Sequence, residues 1–587
     1  MAAARQPTPY LLLTKHFLRQ FLENDLISPE GDRSQLLAVV GAMVLSLTLF
    51  ASVFLSANYV TVSLMPGQLA VLSLDDKFFY LALGMIVTAL LAASQWDALA
   101  IDPRDVAILE PLPVRAGTIR RAKLSAVAIL GAAVAVGVNV FPSVVFPWLL
   151  VFGLRQMSVV SLFGLMATHA IVAIVASAFG YLVVIALREA LAAALGPRWF
   201  TRVSPWVQGA LIVVLGSALL LLPPAAGRVA ERGFDGWRAM SPPMWFLGAY
   251  EMTAGHAIAD LRRTRMTPSQ AARDQAGSAI YRERREQFPA MARRALLAVG
   301  LTFGLAAAAY LWQARRLPAL APGPPPSRRR RWRLGGRLAN AFLAGDLAAR
   351  AGFSFTLAAM WRSNTHRLTL ACAAAAGLAM AVVALSNSIV EAGGGASARL
   401  LSMQPLLYGA LLVGFRHVIR VPAELRANWG VQLAWQGRDG AFVAGAKGAA
   451  VVALVLPALA VLLPLFVFVL GPRLALAHAG LGLAGAIVFL EALMLLYDKV
   501  PFTRAYVPSE NAKALVPIYA IGFFIAVSHF ARMQSDALQG AGAMRAMMTL
   551  AALFAVLRLL SVKRSRPPHV EFDEAPATIQ GLGLHRR

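Results

Sequence analysis

Charged residues are scarce in this chain of 587 residues. Only 14% of the residues are charged, against roughly 25% in a soluble globular protein, whereas 58% are apolar. A soluble protein of this size would need more polar side chains to cover its surface. The apolar residues also form long blocks, and blocks of about 20 are typical of membrane spans. The sequence therefore predicts an all-α, polytopic transmembrane helical bundle.

The chain also lacks the usual signatures of catalysis. Cys372 is its one cysteine, which excludes an internal disulfide and a cysteine-based metal site, and we expect a small buried residue there. There is no GxxxxGK[ST] loop for nucleotide phosphates, no HExxH zinc motif and no GxSxG elbow in a strand–turn–helix context. We therefore expect no catalytic residue, no metal site and no cofactor held by this chain.

Acidic residues are few, since 29 Asp and Glu face 55 Lys and Arg for a formal net charge of +26. In a soluble protein this excess would suggest nucleic acid, but no recognition motif supports that, and we expect no nucleic-acid partner. Cytoplasmic loops of membrane proteins collect Lys and Arg, and anionic headgroups attract them. We therefore interpret the basic excess as contact with the lipid bilayer.

Twelve apolar blocks suggest twelve spans, six in each half. The block near 124–153 contains Pro142 and Pro147, which should kink it or end it early, and Pro457 and Pro464 occupy the equivalent block of the second half. The first six blocks lie near residues 35–56, 78–95, 124–153, 157–187, 207–222 and 295–312. The second six lie near residues 367–387, 403–415, 448–470, 474–497, 514–530 and 546–562.

The spans and the segments between them define five regions. We predict a cytoplasmic amphipathic elbow at 1–34, a first six-span half at 35–313, a basic Pro-rich cytoplasmic linker at 314–337, a second six-span half with its own elbow helix at 338–562, and a cytoplasmic tail at 563–587. Within the first half, residues 224–293 form a helical, partly amphipathic insertion.

Basic residues predict the orientation of these spans. With a cytoplasmic N-terminus, most Lys and Arg fall in inside loops, as the positive-inside rule requires. The insertion at 224–293 is rich in arginine yet predicted outside, because loops beyond about 60 residues escape this rule. We expect a plasma membrane protein, in a bacterium the inner membrane, with both termini in the cytoplasm. The short outside loops then hold only Lys77, Arg155, Arg399, Arg473 and Arg532.

The two halves resemble each other in one cytoplasmic loop. Residues 100–124 (AIDPRDVAILEPLPVRAGTIRRAKL) follow span 2, and residues 420–448 follow span 8. Pro103 aligns with Pro422 and Asp105 with Glu424, and proline followed by an acidic residue is a good helix start. The sequence therefore predicts an internal repeat, an arrangement that secondary transporters also have.

Among the ionisable residues inside predicted spans, we single out His169 in span 4 and Glu491 in span 10. Charge in hydrocarbon is costly, so such residues are functional candidates. The alternatives are a neutral histidine that faces a neighbouring helix and a glutamate that reaches the interface. The scarcity of membrane carboxylates argues against proton coupling.

In layout, the chain resembles the permease subunit of an ABC-type exporter of the type-two class, with both six-span halves fused. The similar features are an elbow before the first span, a docking loop with the sequence DPRDVAILEPLPVRAGTIRRAKL, and the segments SPPMWFLGAYE (241–251) and DKVPFTRAYVPSENAK (498–513). The resemblance implies export driven by two copies of a cytoplasmic ABC ATPase, which would bring the ATP and magnesium. It also implies that residues 101–122 and 421–446 contact the ATPase, with Pro103, Asp105, Leu109, Pro111, Leu112, Pro113, Pro422, Glu424, Asn428 and Trp429 as the docking residues.

Two other functions stay open. A secondary transporter of the major facilitator kind also has twelve spans and a basic central linker, although the loop between spans 2 and 3 lacks the GxxxD-[RK]-x-G-[RK] pattern of that family. A non-transporting membrane scaffold or an intramembrane enzyme with an unfamiliar site is the third. The sequence does not indicate the substrate.

Overall fold

In the computed structural model the described residues are almost all helical, and no strand occurs among them. It divides into two compact units, Met1–Pro326 and Ser327–Arg587. The structure describes residues 8–22, 48–49, 52–53, 59, 65–96, 98–99, 109, 111, 114–152, 159–226, 229, 234, 238–253, 266–316, 346–390, 398–422, 439–495, 497, 500–503, 510–540 and 542–564.

Seven of the described α-helices belong to the first unit. They are α1 (Pro9–Leu22), α2 (Pro66–Ser94), α3 (Ala116–Phe152), α4 (Val159–Ala226), α5 (Pro242–Thr253), α6 (Pro268–Arg285) and α7 (Phe288–Arg316). Helix α4 contains two spans, because Gly196 at φ 66° turns the chain between them. Glycine adopts this left-handed conformation without the steric cost that a Cβ would bring.

Eight described helices form the second unit. They are α8 (Leu347–Arg362), α9 (Asn364–Val390), α10 (Ala398–Val418), α11 (Asp439–Ala450), α12 (Leu456–Leu470), α13 (Pro472–Met494), α14 (Glu510–Leu538) and α15 (Ala543–Arg564). A π-helical turn at Val451–Val455 joins α11 to α12.

Within the described residues, nine helical segments are long and apolar enough to cross a membrane. Each matches one of the predicted spans, and the chain is a multi-pass membrane protein. Helices α10 and α14 lie at the predicted spans 403–415 and 514–530 but are not among the nine, and most of the span predicted at 35–56 lies outside the described residues. The count of twelve stays a prediction. The nine are Pro66–Ser94, Gly117–Val151, Ser161–Gly196, Trp199–Leu222, Phe288–Trp312, Thr365–Leu385, Gly440–Leu470, Pro472–Met494 and Ala543–Ser561.

The prolines of the third span were expected either to kink it or to end it early, and they do not end it. Helix α3 runs through both Pro142 and Pro147 to Phe152. In the second unit, Pro457 follows the π-helical turn, where the Leu456 N–H donates to the Val451 carbonyl. A π turn shifts the hydrogen-bond register by one residue, and this adjusts the helix next to a proline that has no N–H to donate.

The same pairing of helices occurs in both units. In the first unit the amphipathic helix α1 packs along the start of α3, and in the second unit α8 packs along α11. The second contact is very close, because a Cβ added at Gly352 would overlap the Phe442 carbonyl and one added at Gly445 would overlap the Ala349 carbonyl. Small residues allow such an approach of two helix backbones.

Helices α5 and α6 cover one end of the first unit. Helix α6 crosses the N-terminal end of α2, where the Gly67 N–H donates to Asp274 Oδ1 over 2.7 Å and Gly67 meets Gly277. The other end of α2 carries Trp96, whose indole N–H donates to Ser204 Oγ over 2.7 Å. Because α2 has 29 residues, at about 1.5 Å per residue its ends lie about 43 Å apart. Helix α6 and the end of α2 that precedes the predicted docking loop therefore lie at opposite ends of this unit.

Two predicted environments are wrong. Lys77 does not lie in an exposed outside loop but inside α2, where it is fully buried, because α2 begins at Pro66 and α5 and α6 cover its first turns. Cys372 is exposed on α9 and not buried, because neighbouring helices cover only part of that helix.

Candidate functional site

Three of the ten predicted docking residues belong to the described part of the chain. Leu109 is buried, Pro111 is exposed and Pro422 is half-buried. The other seven lie outside the described residues, namely Pro103, Asp105, Leu112, Pro113, Glu424, Asn428 and Trp429.

Leu109 connects the first docking segment to the elbow helix. It belongs to a buried cluster with Phe17 of α1 and with Ile119, Ala122 and Ala126 of α3. A buried leucine contributes about 1.5–3 kcal/mol to stability, so this contact holds the segment, the elbow and the start of the third span together. A displacement of the segment would therefore be passed to α1 and α3.

Polar contacts reinforce the pairing of α1 with α3. The hydroxyl groups of Tyr10 and Ser125 are 2.7 Å apart. The Lys123 ammonium donates to Gln20 Oε1 over 3.2 Å and lies 4.8 Å from the ring centroid of Phe17. Lys123 is nearly fully buried, and Gln20 and Phe17 are two of the groups that its ammonium contacts. The elbow is thus bound to the span over several turns.

In the second unit, the residues just before the docking segment 421–446 are held by three neighbours. The Ile419 carbonyl accepts from the Phe502 N–H over 2.9 Å and from the Tyr497 hydroxyl over 3.1 Å. The Val421 carbonyl lies 3.2 Å from Nε2 of His366, at the start of α9. The beginning of this segment is therefore fixed to spans 7 and 10.

Phe502 holds this junction in a strained backbone conformation. Its φ of 66° is in the left-handed region, which costs a residue other than glycine roughly 1–3 kcal/mol. Its ring is buried, with centroids 5.8 Å from Phe355 and 5.2 Å from His366. Burial of the ring offsets the cost.

A buried ion pair joins the covering helices of the first unit to span 2. Lys77 Nζ lies 2.5 Å from Glu251 Oε1, and the two side chains are 1% and 0% exposed. The Tyr281 hydroxyl of α6 donates to Glu251 Oε2 over 2.5 Å, and the Lys77 ammonium lies 5.0 Å from the Tyr250 ring centroid. One carboxylate therefore ties α2, α5 and α6 together.

Glu491, predicted as an intramembrane candidate, is at a junction of three helices. Its Oε2 accepts from the Lys447 ammonium of α11 over 2.5 Å, and Arg558 Nη1 of α15 is 3.9 Å from its Oε1. The carboxylate is 9% exposed and the Arg558 side chain 50% exposed. The glutamate thus has basic partners within the protein.

A third ion pair lies where α4 passes the end of span 2. Arg188 pairs with its neighbour Glu189, and its Nε donates to the Trp96 carbonyl over 2.8 Å. Because Trp96 also donates to Ser204 beyond the turn at Gly196, the two spans of α4 are both bound to the end of α2. This is the end that leads into residues 101–122.

His169, the other intramembrane candidate, is fully buried among aromatic rings. Its centroid lies 5.7 Å from Tyr80, 5.3 Å from Phe146 and 5.6 Å from Tyr250. Neither ring nitrogen has a hydrogen-bond partner within the described residues. A second histidine of this kind, not among the predicted candidates, is His478 of span 10, whose ring centroid lies 4.5 Å from Phe466 of α12. Its position in an apolar block was the signal that could have revealed it.

The described residues contain no group of three or more His, Cys, Asp or Glu side chains that could hold a metal ion. Three acidic residues are instead buried in ion pairs with Lys77, Arg188 and Lys447, so the described arrangement holds charge inside the helix bundle.

No protein family model matches the chain, and neither a curated protein nor a solved structure is detectably similar to it.

Proposed function

We propose that this membrane protein is the permease of an ABC-type exporter with both six-span units fused in one chain. A separate ATPase, present in two copies, would bind residues 101–122 and 421–446 and supply the energy of ATP hydrolysis. This chain would move the substrate but not hydrolyse nucleotide itself. The proposal rests on one observation above all, the packing of an elbow helix against the helix that follows the docking segment in each unit.

The proposed mechanism is mechanical. Closure of the ATPase dimer would move the two docking segments, and each segment is tied to several helices. In the first unit, Leu109 would pass the movement to α1 and α3. In the second, the hydrogen bonds at Ile419 and Val421 would pass it to spans 7 and 10. Packed cores switch between discrete arrangements and do not deform continuously, so such a movement can tilt whole spans between inward and outward states.

The docking assignment predicts the loss of the ATPase from a double variant, Asp105→Arg with Glu424→Arg. Reversing both charges would repel the basic partners that the acidic residues are proposed to meet, while neither residue lies in a candidate span. We expect purification of the full chain in mild detergent to recover an ATPase with the wild type and to lose it with the double variant, at equal membrane insertion.

Asp536→Arg is the matched control, because Asp536 is exposed near the end of α14 that leads away from the docking segments. It should retain the ATPase. Retention of the ATPase by the double variant would contradict the docking assignment, and purification of the wild type without any ATPase would contradict the proposed energy source.

A secondary transporter is the second candidate, and the ion network at Glu491 favours it. Ionisable residues within spans mark proton and ion pathways, and Glu491 lies between Lys447 and a half-exposed Arg558. If the chain works without an ATPase, a pH gradient should drive uptake of a compound from a labelled metabolite extract into vesicles that contain only this protein.

Glu491→Gln should abolish such uptake, because the amide cannot carry a proton between states, whereas the exposed control Asp536→Asn should not. Uptake that persists in Glu491→Gln would exclude this carboxylate as the coupling group. Uptake that requires an ATPase would favour the exporter.

A further inference from the structure

Three polar side chains are buried within the second unit at one level. Gln404 of α10, His478 of α13 and Gln534 of α14 are each 0% exposed. Within the described part of the chain, no hydrogen-bond partner contacts Oε1 of Gln404, either ring nitrogen of His478 or either amide atom of Gln534. We call these three residues the polar layer.

Helix packing places the polar layer at a common height. A Cβ added at Gly482 would overlap the amide of Gln404, so Gln404 lies directly against α13. His478 is on the same face of α13, one turn before Gly482. Gly485, about one turn after Gly482, contacts the ring of Phe530 on α14. Gln534 lies one turn after Phe530 on α14. Because α13 and α14 run in opposite directions here, Gln534 returns to the height of Gly482.

The layer lies away from the predicted docking segment of its unit. Helix α10 ends at Val418, next to residues 421–446, and Gln404 lies about 21 Å from that end at 1.5 Å per residue. His478 lies two turns from the start of α13, whereas the far end of α13 meets Arg416, whose Nε donates to the Leu493 carbonyl over 3.1 Å. By the predicted orientation, the layer faces the outer side.

Unpartnered polar atoms in such a place require an explanation. A buried donor or acceptor without a partner has lost its hydrogen bonds to water and gained none in return, and native proteins contain few such atoms. The polar layer has five such atoms on three helices. A ligand that supplies both donors and acceptors would remove this cost.

The chemistry of the layer selects a neutral ligand. Two carboxamides and an imidazole donate and accept hydrogen bonds without a fixed charge, and the Tyr408 hydroxyl adds a fourth group, 3.1 Å from Gln404 Nε2. Within the described residues, the charged side chains near this end are exposed, and they are Arg399, Arg473, Arg532, Asp536 and Arg545. An ionised ligand would find no opposite charge in the layer, whereas hydroxyl groups would find partners for both their protons and their lone pairs.

In the first unit, two additional helices cover the corresponding end of the bundle. There α5 and α6 cover the bundle, Tyr250 of α5 packs on His169, and Glu251 satisfies the ammonium of Lys77. In the second unit only residues 539–542 connect α14 to α15, so no comparable insertion covers the polar layer within that connection. The two units therefore differ in the helices that cover these ends.

We propose that the polar layer binds the neutral hydroxylated headgroup of an amphipathic molecule, a sugar on an alkyl or lipid tail. Its hydroxyl groups would pair with Gln404, His478 and Gln534, and its tail would lie among the surrounding apolar helices. The further statement that this molecule is the exported substrate rests on the proposed function, but the binding itself does not.

Photolabelling tests this site on the purified full chain in phosphatidylcholine vesicles, without any ATPase. The probe is an alkyl glucoside with a diazirine next to the sugar, and a matched probe carries phosphocholine in place of glucose. We expect the glucoside to label peptides of α10, α13 and α14 around the polar layer and the phosphocholine probe not to do so. Gln534→Leu should lower this labelling about five-fold, the value of one hydrogen bond of about 1 kcal/mol, and Gln404→Leu with His478→Phe should lower it further.

His529→Phe is the matched control, because His529 is exposed on the same helix as Gln534, and it should label as the wild type does. Competition by excess octyl glucoside but not by free glucose would identify a membrane-borne ligand, while competition by both would identify a sugar taken from water. Equal labelling of all lipid-facing helices, or labelling unchanged in folded Gln534→Leu, would overturn the site and leave bound water as the occupant of the layer. Because no ATPase is present, these outcomes are independent of the docking test.

Discussion

Glu251→Gln is expected to cause the largest loss of stability of any conservative change in the first unit. The glutamine keeps the size of the side chain and can still accept from Tyr281, but it leaves the Lys77 ammonium buried without its opposite charge. Removing one partner of a buried ion pair costs about 3–5 kcal/mol. We expect a markedly lower apparent melting temperature in detergent and less folded protein on size-exclusion chromatography.

A double-variant cycle separates the ion pair from the packing of the two side chains. Lys77→Met with Glu251→Gln removes both charges, and we expect it to be more stable than Glu251→Gln alone, because no unpaired charge remains. Glu283→Gln is the matched control, since the Glu283 side chain is 69% exposed, and it should melt as the wild type does. Additive losses in the double variant would show that the pairing contributes nothing.

Gly445→Ala is expected to separate α8 from α11 in the second unit. The added methyl group would overlap the Ala349 carbonyl, and a backbone atom cannot rotate away as a side chain can. Overpacking costs about 1–3 kcal/mol, against a gain of about 1 kcal/mol from the better helix propensity of alanine. We expect a lower apparent melting temperature and, if the proposed function holds, weaker retention of the ATPase.

Gly440→Ala provides the control on the same helix. No atom lies within 4 Å of a Cβ added at Gly440, so this change should leave the melting temperature unchanged or raise it. Equal behaviour of the two variants would show that the close approach of α8 and α11 does not limit stability. Because Gly440 and Gly445 share α11, the comparison removes the effect of helix propensity.

Three buried ion pairs hold charged side chains inside the helix bundles of this chain. Lys77–Glu251 binds the covering helices to span 2, and Lys447–Glu491 joins span 9 to span 10. Arg188–Glu189 lies in the first span of α4, where Arg188 also donates to the Trp96 carbonyl at the end of span 2. Each pair therefore contacts a segment that is distant in sequence. A charge in an apolar bundle is tolerated when it has a partner, so these positions are where the packing of the spans is specified.

The sequence by itself determined the helical class and the positions of nine membrane-compatible helices. Long apolar blocks must form helices in a bilayer, because every backbone N–H and carbonyl then finds its partner within the segment. The hydrophobicity of a segment depends only on its own residues, so the spans could be predicted from the sequence without a fold. It also placed His169 and Glu491 inside spans, where the structure locates them.

Only the tertiary structure decided which polar residues became buried and what they met. The first turns of α2 contain Ser73, Asp75, Asp76 and Lys77 and do not look like a span, yet α5 and α6, about 170 to 210 residues later in the chain, cover them and supply Glu251. His478 and Gln534 lie on separate helices, and only the packing of α13 against α14 brings them to one height. Contacts between distant segments depend on how helix faces fit together, and a hydropathy pattern along one helix does not contain that information.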